Sequence, residues 1–191
     1  MRKNFFVATL AAAALLPLIA HAAPLDNFFV AGNLGQTKLR SAGVDHNKSV
    51  FQNARFGWRW NGIVGPEMGY AYLGRPKTSF DGGTISARTQ AATLGVNARW
   101  DFTPSWFVTG HSGYARTRTT TQFNDVPSRS QSLRSTNNGW YAGVGVGYNM
   151  TQHVSLGLNY DNYGVSMGRR SQGSATNTNI AAYSASLEYR F

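Results

Sequence analysis

The residues best suited to chemistry in this chain are charged side chains on alternate positions of extended segments. Within each segment the charged residues occupy one set of alternate positions, and the apolar residues occupy the other set. Guanidinium and carboxylate groups crowded onto one face can neutralise each other as hydrogen-bonded ion pairs, and the alternative is that the same charges line a path for ions. We predict the paired network, formed by four cations and four anions: Arg55, Arg59, Arg99, Arg190, Glu67, Asp101, Asp161 and Glu188.

The histidines do not form a catalytic pattern. His46 falls in a predicted loop and His153 in a predicted turn, and His111 stands beside Ser112 on a predicted strand. Neighbouring residues on a strand point to opposite faces, so this pair does not make a nucleophile with its base. We therefore predict no catalytic residue, no metal site and no cofactor. A lipid A-modifying enzyme is the third-ranked alternative, which lipid A mass spectra with and without the protein would test.

Strict alternation of apolar and polar residues predicts the strands that position these charges. In the segment 53–60, Phe56, Trp58 and Trp60 share one face, and Arg55 and Arg59 share the other. Eight such segments follow one another, each roughly the 9–11 residues that a tilted membrane strand needs. In the two least regular segments we expect Val30, Leu34, Trp106, Val108 and Tyr114 to point outward and Phe29, Ala31, Asn33, Gly35, Phe107, Thr109, His111 and Gly113 to point inward.

Alternation alone fits a soluble sandwich as well as a barrel that faces lipid. Aromatic residues at the strand ends and charges of both signs on the polar face favour the barrel. Short turns at Asn61-Gly62, 101–105 and 149–153 also alternate with long segments at 37–49, 75–88, 116–138 and 164–179. Long outer loops and tight periplasmic turns are typical of bacterial outer membranes. The prediction is an all-β fold, an eight-stranded antiparallel up-and-down transmembrane β-barrel.

The first residues predict export. Arg2 and Lys3 precede an apolar run, and Ala20-His21-Ala22 provides a small-x-small cleavage pattern. A membrane anchor is the alternative, but the run is short for the roughly 20 residues of a spanning helix. We assign residues 1–22 to a cleaved signal peptide and 23–191 to the barrel. The chain has no cysteine, so no disulfide stabilises it.

The predicted outer loops carry most of the excess charge. The formal net charge of +10 falls to +8 without Arg2 and Lys3. An exported basic protein meets lipopolysaccharide, acidic glycans or anionic lipid rather than nucleic acid. The cations either neutralise lipopolysaccharide phosphates or bind a specific acidic ligand, and both roles can coexist. The candidates for anion binding are Lys38, Arg40, Lys48, Arg75, Lys77, Arg116, Arg118, Arg129, Arg134, Arg169 and Arg170.

The chain ends in "YSASLEYRF", which places Tyr183, Leu187, Tyr189 and Phe191 on one parity. This ending, with "GWYAGVGVGYNMTQHVSLGLNYDNY" (139–163) and "NGIVGPEMGYAYLG" (61–74), resembles the small OmpA-transmembrane-like barrels that include the OmpX/Ail and opacity proteins. The resemblance implies that the barrel-assembly machinery reads those four residues. It also implies a monomer in the bacterial outer membrane that acts in membrane integrity, lipopolysaccharide contact or adhesion to acidic surface polymers. A narrow, porin-like channel is the second-ranked function.

Overall fold

The computed structural model describes residues 27–40, 48–75, 77–80, 83–125, 129–167 and 176–191. No helix among these residues has the length and hydrophobicity to cross a membrane. The predicted signal peptide lies outside the described residues and stays a prediction. The strands are β1 (Phe28–Arg40), β2 (Lys48–Trp58), β3 (Val64–Tyr72), β4 (Lys77–Phe80), β5 (Gly83–Asp101), β6 (Trp106–Asp125), β7 (Arg129–Asn149), β8 (Val154–Met167) and β9 (Thr176–Arg190).

The strands close into one antiparallel barrel. Each strand pairs with its neighbour in the chain, and β1 pairs with β9 from Phe29↔Arg190 to Arg40↔Asn179. Both β3 and β4 pair with β5, so they are successive segments of a single barrel strand. The fold is therefore the predicted eight-stranded barrel. Closure gives each of the eight barrel strands two partners within the membrane band, as hydrocarbon requires, because unpaired backbone groups there cost about several kcal/mol each.

The sidedness of the strands confirms the predicted alternation. Phe29, Ala31 and Phe107 are buried in the lumen, whereas Leu34 and Tyr114 are exposed on the outer surface. Apolar residues face outward around the wall, and polar or small residues occupy most of the inward positions, which inverts the arrangement of a soluble sandwich. The outward residues form a band that ends in aromatic side chains at both edges: Trp60, Trp100, Trp106 and Tyr148 at the turn end, and Tyr70, Tyr114, Trp140 and Tyr183 at the other.

Three tight turns lie where they were predicted, at one end of the barrel. Asn61 and Gly62 both adopt positive φ, which suits asparagine and glycine. The remaining turns occupy residues 102–105 and 150–153. Short turns face the periplasm in outer-membrane barrels, so the opposite end is extracellular.

The predicted extent of the long loops is wrong. The segment 116–138 contains paired strand residues on both sides, since β6 continues to Asp125 and β7 begins at Arg129. Part of 75–88 likewise belongs to β4 and β5. The ends of 37–49 and 164–179 are also strand residues. Apolar alternation stops above the membrane band because the outward face no longer meets lipid there, while backbone pairing continues.

Candidate functional site

The periplasmic half of the lumen contains an ion-pair cluster centred on Glu188. Arg59 donates from Nη1 and Nη2 to the two carboxylate oxygens, each at 2.8 Å. Arg99 donates from Nη1 to Oε1 at 2.9 Å. Strand β9 thus supplies one carboxylate to two guanidinium groups that come from the end of β2 and from β5. All three residues are buried, so their charges interact with little screening.

The rest of Arg99 binds Asp101 and Asn149. Its Nε and Nη2 donate to the two Asp101 oxygens at 3.0 Å, and Nη2 also donates to Asn149 Oδ1. The guanidinium carbon of Arg99 lies 3.5 Å from the centroid of the Phe107 ring, and that of Arg59 lies 3.8 Å from Phe29. Stacking on aromatic faces fixes both planes for their bidentate contacts.

Arg190 differs from the other inward arginines. Its Nη2 donates to Asn149 Oδ1 at 3.3 Å, and its Nε is buried without a hydrogen-bond partner. It forms no ion pair within 4.0 Å with the part of the chain that the structure describes. The predicted inward position is therefore observed, while the ion pair expected of Arg190 is not.

A second cluster lies deeper in the lumen and is organised by His111. Arg55 Nη1 lies 2.7 Å from His111 Nδ1, and His111 Nε2 lies 2.5 Å from Asp161 Oδ1. A guanidinium group can only donate, so Nδ1 accepts and the imidazole proton is on Nε2. His111 Nε2 then donates to Asp161 Oδ1. Both ring nitrogens are occupied, which leaves neither for general-base chemistry.

Glu67 completes this second cluster from β3. Tyr141 donates its hydroxyl proton to Glu67 Oε1 at 2.9 Å, and Arg55 Nη1 lies 3.7 Å from Glu67 Oε2. Sequence reasoning grouped Arg55, Glu67 and Asp161 but omitted His111 and Tyr141. The inward parity of those two residues was the available signal, but which partners meet across the lumen depends on the stagger of the strands.

A glycine makes room for the His111–Asp161 contact. A Cβ added at Gly143 would collide with Asp161 Oδ1 and His111 Nε2. Gly143 pairs with both residues in the ladder, opposite His111 on β6 and Asp161 on β8. The two side chains therefore meet in the space that the missing side chain leaves on β7.

An apolar layer fills the lumen on the extracellular side of both clusters. The rings of Phe51 and Tyr163 lie 6.2 Å apart, and Tyr163 stacks on Tyr141 at 6.2 Å. Small and aliphatic residues complete the layer: Ala71, Leu73, Ala91, Ala115, Ile180 and Ala182. An eight-stranded barrel leaves space only for side chains, and here the ion pairs lie in the lower part of that space and the apolar layer lies above them.

Four arginines share the outer surface of three adjacent strands above the membrane band. They are Arg88 on β5, Arg116 and Arg118 on β6, and Arg134 on β7, and all are exposed. Arg88 and Arg134 flank Thr120 in register. Arg116 and Arg118 border a surface hollow of about 150 Å³ together with Tyr70, Gln90, Ala92, Thr117 and Thr136. We call this surface the basic face.

The other candidate cations are distributed around the extracellular end. Lys38 lies on β1 with its ammonium 5.4 Å from the centroid of the Tyr183 ring, and Arg75 follows β3 and donates to Ser86. Arg40 lies on β1, Lys48 on β2, Lys77 on β4 and Arg129 on β7. Arg169 and Arg170 lie outside the described residues.

The predicted assembly residues lie along the outer side of β9 and at its end. Tyr183 and Leu187 are exposed, and the rings of Tyr189 and Phe191 pack at 5.0 Å. Their recognition by the assembly machinery stays a prediction. Among the described residues, no three histidine, cysteine or acidic side chains group as metal ligands.

Three solved structures show what this barrel is similar to. Neisserial surface protein A is similar with a TM-score of 0.64 and 16% identity, over 87% of this chain and 98% of that one. Ail, the attachment invasion locus protein of Yersinia pestis, gives 0.59 and 13%, over 87% and 99%. Ail in complex with the heparin analogue sucrose octasulfate gives 0.54 and 14%, over 86% and 96%. At these identities the likeness shows the fold.

The family assignment rests on the sequence itself. No match was found among curated proteins. Residues 8–191 match the family model described as the outer membrane protein beta-barrel domain. That match covers the barrel from β1 to β9, and the structural likeness agrees with it. The chain therefore belongs to the outer membrane protein β-barrel family and resides in the bacterial outer membrane.

Proposed function

We propose that this barrel binds acidic polymers at the cell surface through its basic face. The ligands are oxyanions, either lipopolysaccharide phosphates or the sulfate and carboxylate groups of surface glycans. This contact serves membrane integrity or adhesion, according to which polymer is bound. The observation that carries the proposal is the concentration of Arg88, Arg116, Arg118 and Arg134 on one exposed surface.

No acidic side chain offsets these charges where the structure describes the outward residues of the basic face. Their outward neighbours are neutral, as with Gln90, Thr120, Thr136 and Asn138. Guanidinium groups present planar pairs of donors that match phosphate, sulfate and carboxylate oxygens. Repeated arginines across three strands therefore suit a ligand with repeated negative charges.

The position of the face supports contact with large ligands. Above Tyr114, which lies at the upper edge of the aromatic band, strand β6 continues to Asp125. At about 3.3 Å per residue, this part of the strand is about 35 Å long. Arg116 and Arg118 lie just above the band, within reach of lipid phosphates, while the hairpin beyond them extends toward the medium. Ail, which has the same fold, was solved with a sulfated heparin analogue.

The test is binding by the barrel refolded in detergent, with heparin and purified lipopolysaccharide titrated separately at low and high salt. We expect both ligands to bind and salt to weaken binding, because exposed charges are screened. The variant R116Q/R118Q should lose about 2- to 30-fold in affinity, if each exposed pair contributes about 0.2–1 kcal/mol. The basic face contacts the polymer, heparin-like or lipopolysaccharide, whose affinity is lower for R116Q/R118Q than for the parent.

Two control variants distinguish the effect of the basic face on affinity from the effect of the total net charge. The variant K38Q/K48Q removes two cations that pair in register on β1 and β2, across the barrel from β6. It should retain most of the affinity. The variant R116K/R118K keeps the charge and removes the planar forks, so it should lie between the parent and R116Q/R118Q. Equal losses in R116Q/R118Q and K38Q/K48Q, or binding that salt does not change, would contradict the proposal.

A further inference from the structure

The periplasmic mouth of the barrel contains a cavity that combines arginine donors with apolar side chains. Its volume is about 420 Å³, and it lies between the turn at 61–63 and the turn at 150–153. Arg59, Arg99 and Arg190 line it. We propose that this cavity binds a small carboxylate ligand from the periplasm, the free carboxyl terminus of a short peptide, with Arg190 as its anchor.

Two of the three guanidinium groups are already neutralised. Arg59 is bound to both oxygens of Glu188, and Arg99 is shared between Glu188 and Asp101. Three arginine side chains thus face two side-chain carboxylates in this cluster, and Arg190 is the arginine that forms an ion pair with neither. An arginine has five N–H donors, and Arg190 uses one of them, in the 3.3 Å bond to Asn149.

The chain's own carboxyl terminus does not supply the missing anion. Phe191 also lines the cavity. Its carboxylate forms no ion pair within 4.0 Å with any residue that the structure describes, Arg190 included. The Phe191 backbone N–H is directed instead to Phe28 O, at 3.1 Å. The terminal nitrogens of Arg190, unlike its buried Nε, therefore remain available for an external acceptor.

The remaining lining fits a peptide end better than an inorganic anion. Phe28, Ile63 and Trp100 border the cavity with apolar atoms, Trp100 from its place in the outward aromatic band, and Asp101, His153 and the amides of Asn27, Asn61 and Gln152 provide polar groups for a peptide backbone. Apolar lining with a few polar groups and a volume of roughly 300–1,000 Å³ is typical of small-molecule sites. A guanidinium fork holds a carboxylate with two parallel hydrogen bonds. The cavity therefore offers hydrogen bonds to the carboxylate of a peptide and apolar contacts to the side chain next to that carboxylate.

The experiment titrates the refolded full barrel in detergent with N-acetyl-alanyl-leucine and with the same peptide as its C-terminal amide. Binding is measured by calorimetry and by the NMR shift of the Arg190 Nε–H. We expect the acid to bind and the amide to bind about 10- to 100-fold more weakly, as for loss of hydrogen bonds to a charged group. Inorganic phosphate should bind more weakly than the acid because it leaves the apolar lining unused.

Variants locate the binding. R190Q should lose about 10- to 100-fold in affinity for the acid, and R190K should lose less because the charge remains. K38Q, at the extracellular end and outside the basic face, should bind as the parent does. Heat-dependent gel mobility checks that each variant is folded, and R190K provides the comparison if R190Q does not fold. Equal affinity for acid and amide, tighter binding of phosphate, or parent-like affinity in the Arg190 variants would overturn the proposal.

Discussion

Replacing Glu188 by glutamine should strongly destabilise the barrel. The substitution keeps the shape of the side chain but removes the negative charge that receives three hydrogen bonds from Arg59 and Arg99. Only 6% of Glu188 is exposed, so water cannot replace the carboxylate. Breaking a buried ion pair by removing one partner costs about 3–5 kcal/mol, since the other charge stays buried and uncompensated. We expect a loss of that size in the free energy of unfolding.

Asp101→Asn is the matched control. Asp101 also makes a bidentate contact with Arg99, at 3.0 Å, but 37% of its side chain is exposed. Solvent screens this pair, so its loss should cost about 0–1 kcal/mol. Both variants therefore remove a carboxylate charge that receives a bidentate arginine contact, and they differ in burial and in the second arginine that Glu188 also binds.

The assay is reversible urea unfolding in lipid vesicles, followed by tryptophan fluorescence and by heat-dependent gel mobility. Free energies are compared only where the slope against urea is unchanged. The double variant R59M/E188Q should lose less than the sum of the single losses, because each single change leaves a charge that the double change removes. Equal losses for E188Q and D101N, or strict additivity in the double variant, would refute the view that burial sets the energy of this cluster.

Two further predictions concern the inside of the barrel. Gly143→Ala should cost about 1–3 kcal/mol by overpacking and should separate His111 from Asp161, whereas Gly32→Ala should change stability by less than about 0.5 kcal/mol, since its added Cβ would meet no atom within 4 Å. The same unfolding assay compares them, and similar losses would argue against the packing role of Gly143. In planar bilayers the barrel should give no steady conductance, because the apolar layer closes the lumen above the charges. A conductance that disappears when Arg55 or Glu67 is altered would instead support the channel hypothesis.

Strand sidedness was predictable because lipid and lumen impose opposite chemistry on alternate residues. The inward placement of Asn33, Arg59 and Glu67 follows from parity alone, and so does the outward placement of Leu34 and Trp60. This pattern is local in the chain and strictly periodic. It therefore survives in a single sequence without any knowledge of which strands are neighbours.

The partners of the inward charges were not predictable in the same way. Parity grouped Asp161 with the arginines, but its observed partner is His111, and Arg190 forms no ion pair among the described residues. Contacts across the lumen depend on strand stagger and on small residues such as Gly143 that admit a larger side chain. Neither is expressed in the alternation of one strand.

The long β6–β7 hairpin was missed for a different physical reason. Its upper part, from Arg116 to Asp125, is rich in threonine, which favours strands, but it has no apolar face. Above the aromatic band, the outward surface no longer meets lipid, so the hydrophobic period that marks a membrane strand is absent. The backbone ladder with β5 and β7 nevertheless continues to the end of the strand.

That hairpin divides β6 into two parts with different tolerance to evolutionary change. Below Tyr114, inserting one residue would turn the apolar, lipid-facing side of the strand toward the lumen, because side chains alternate with a period of two. Beyond Arg116, neither side of the strand faces lipid, so the same insertion would not place an apolar side in the lumen. We therefore expect lineages of this protein to diversify the hairpin in length and sequence, and so to escape antibodies or phage, while the wall beneath it stays fixed.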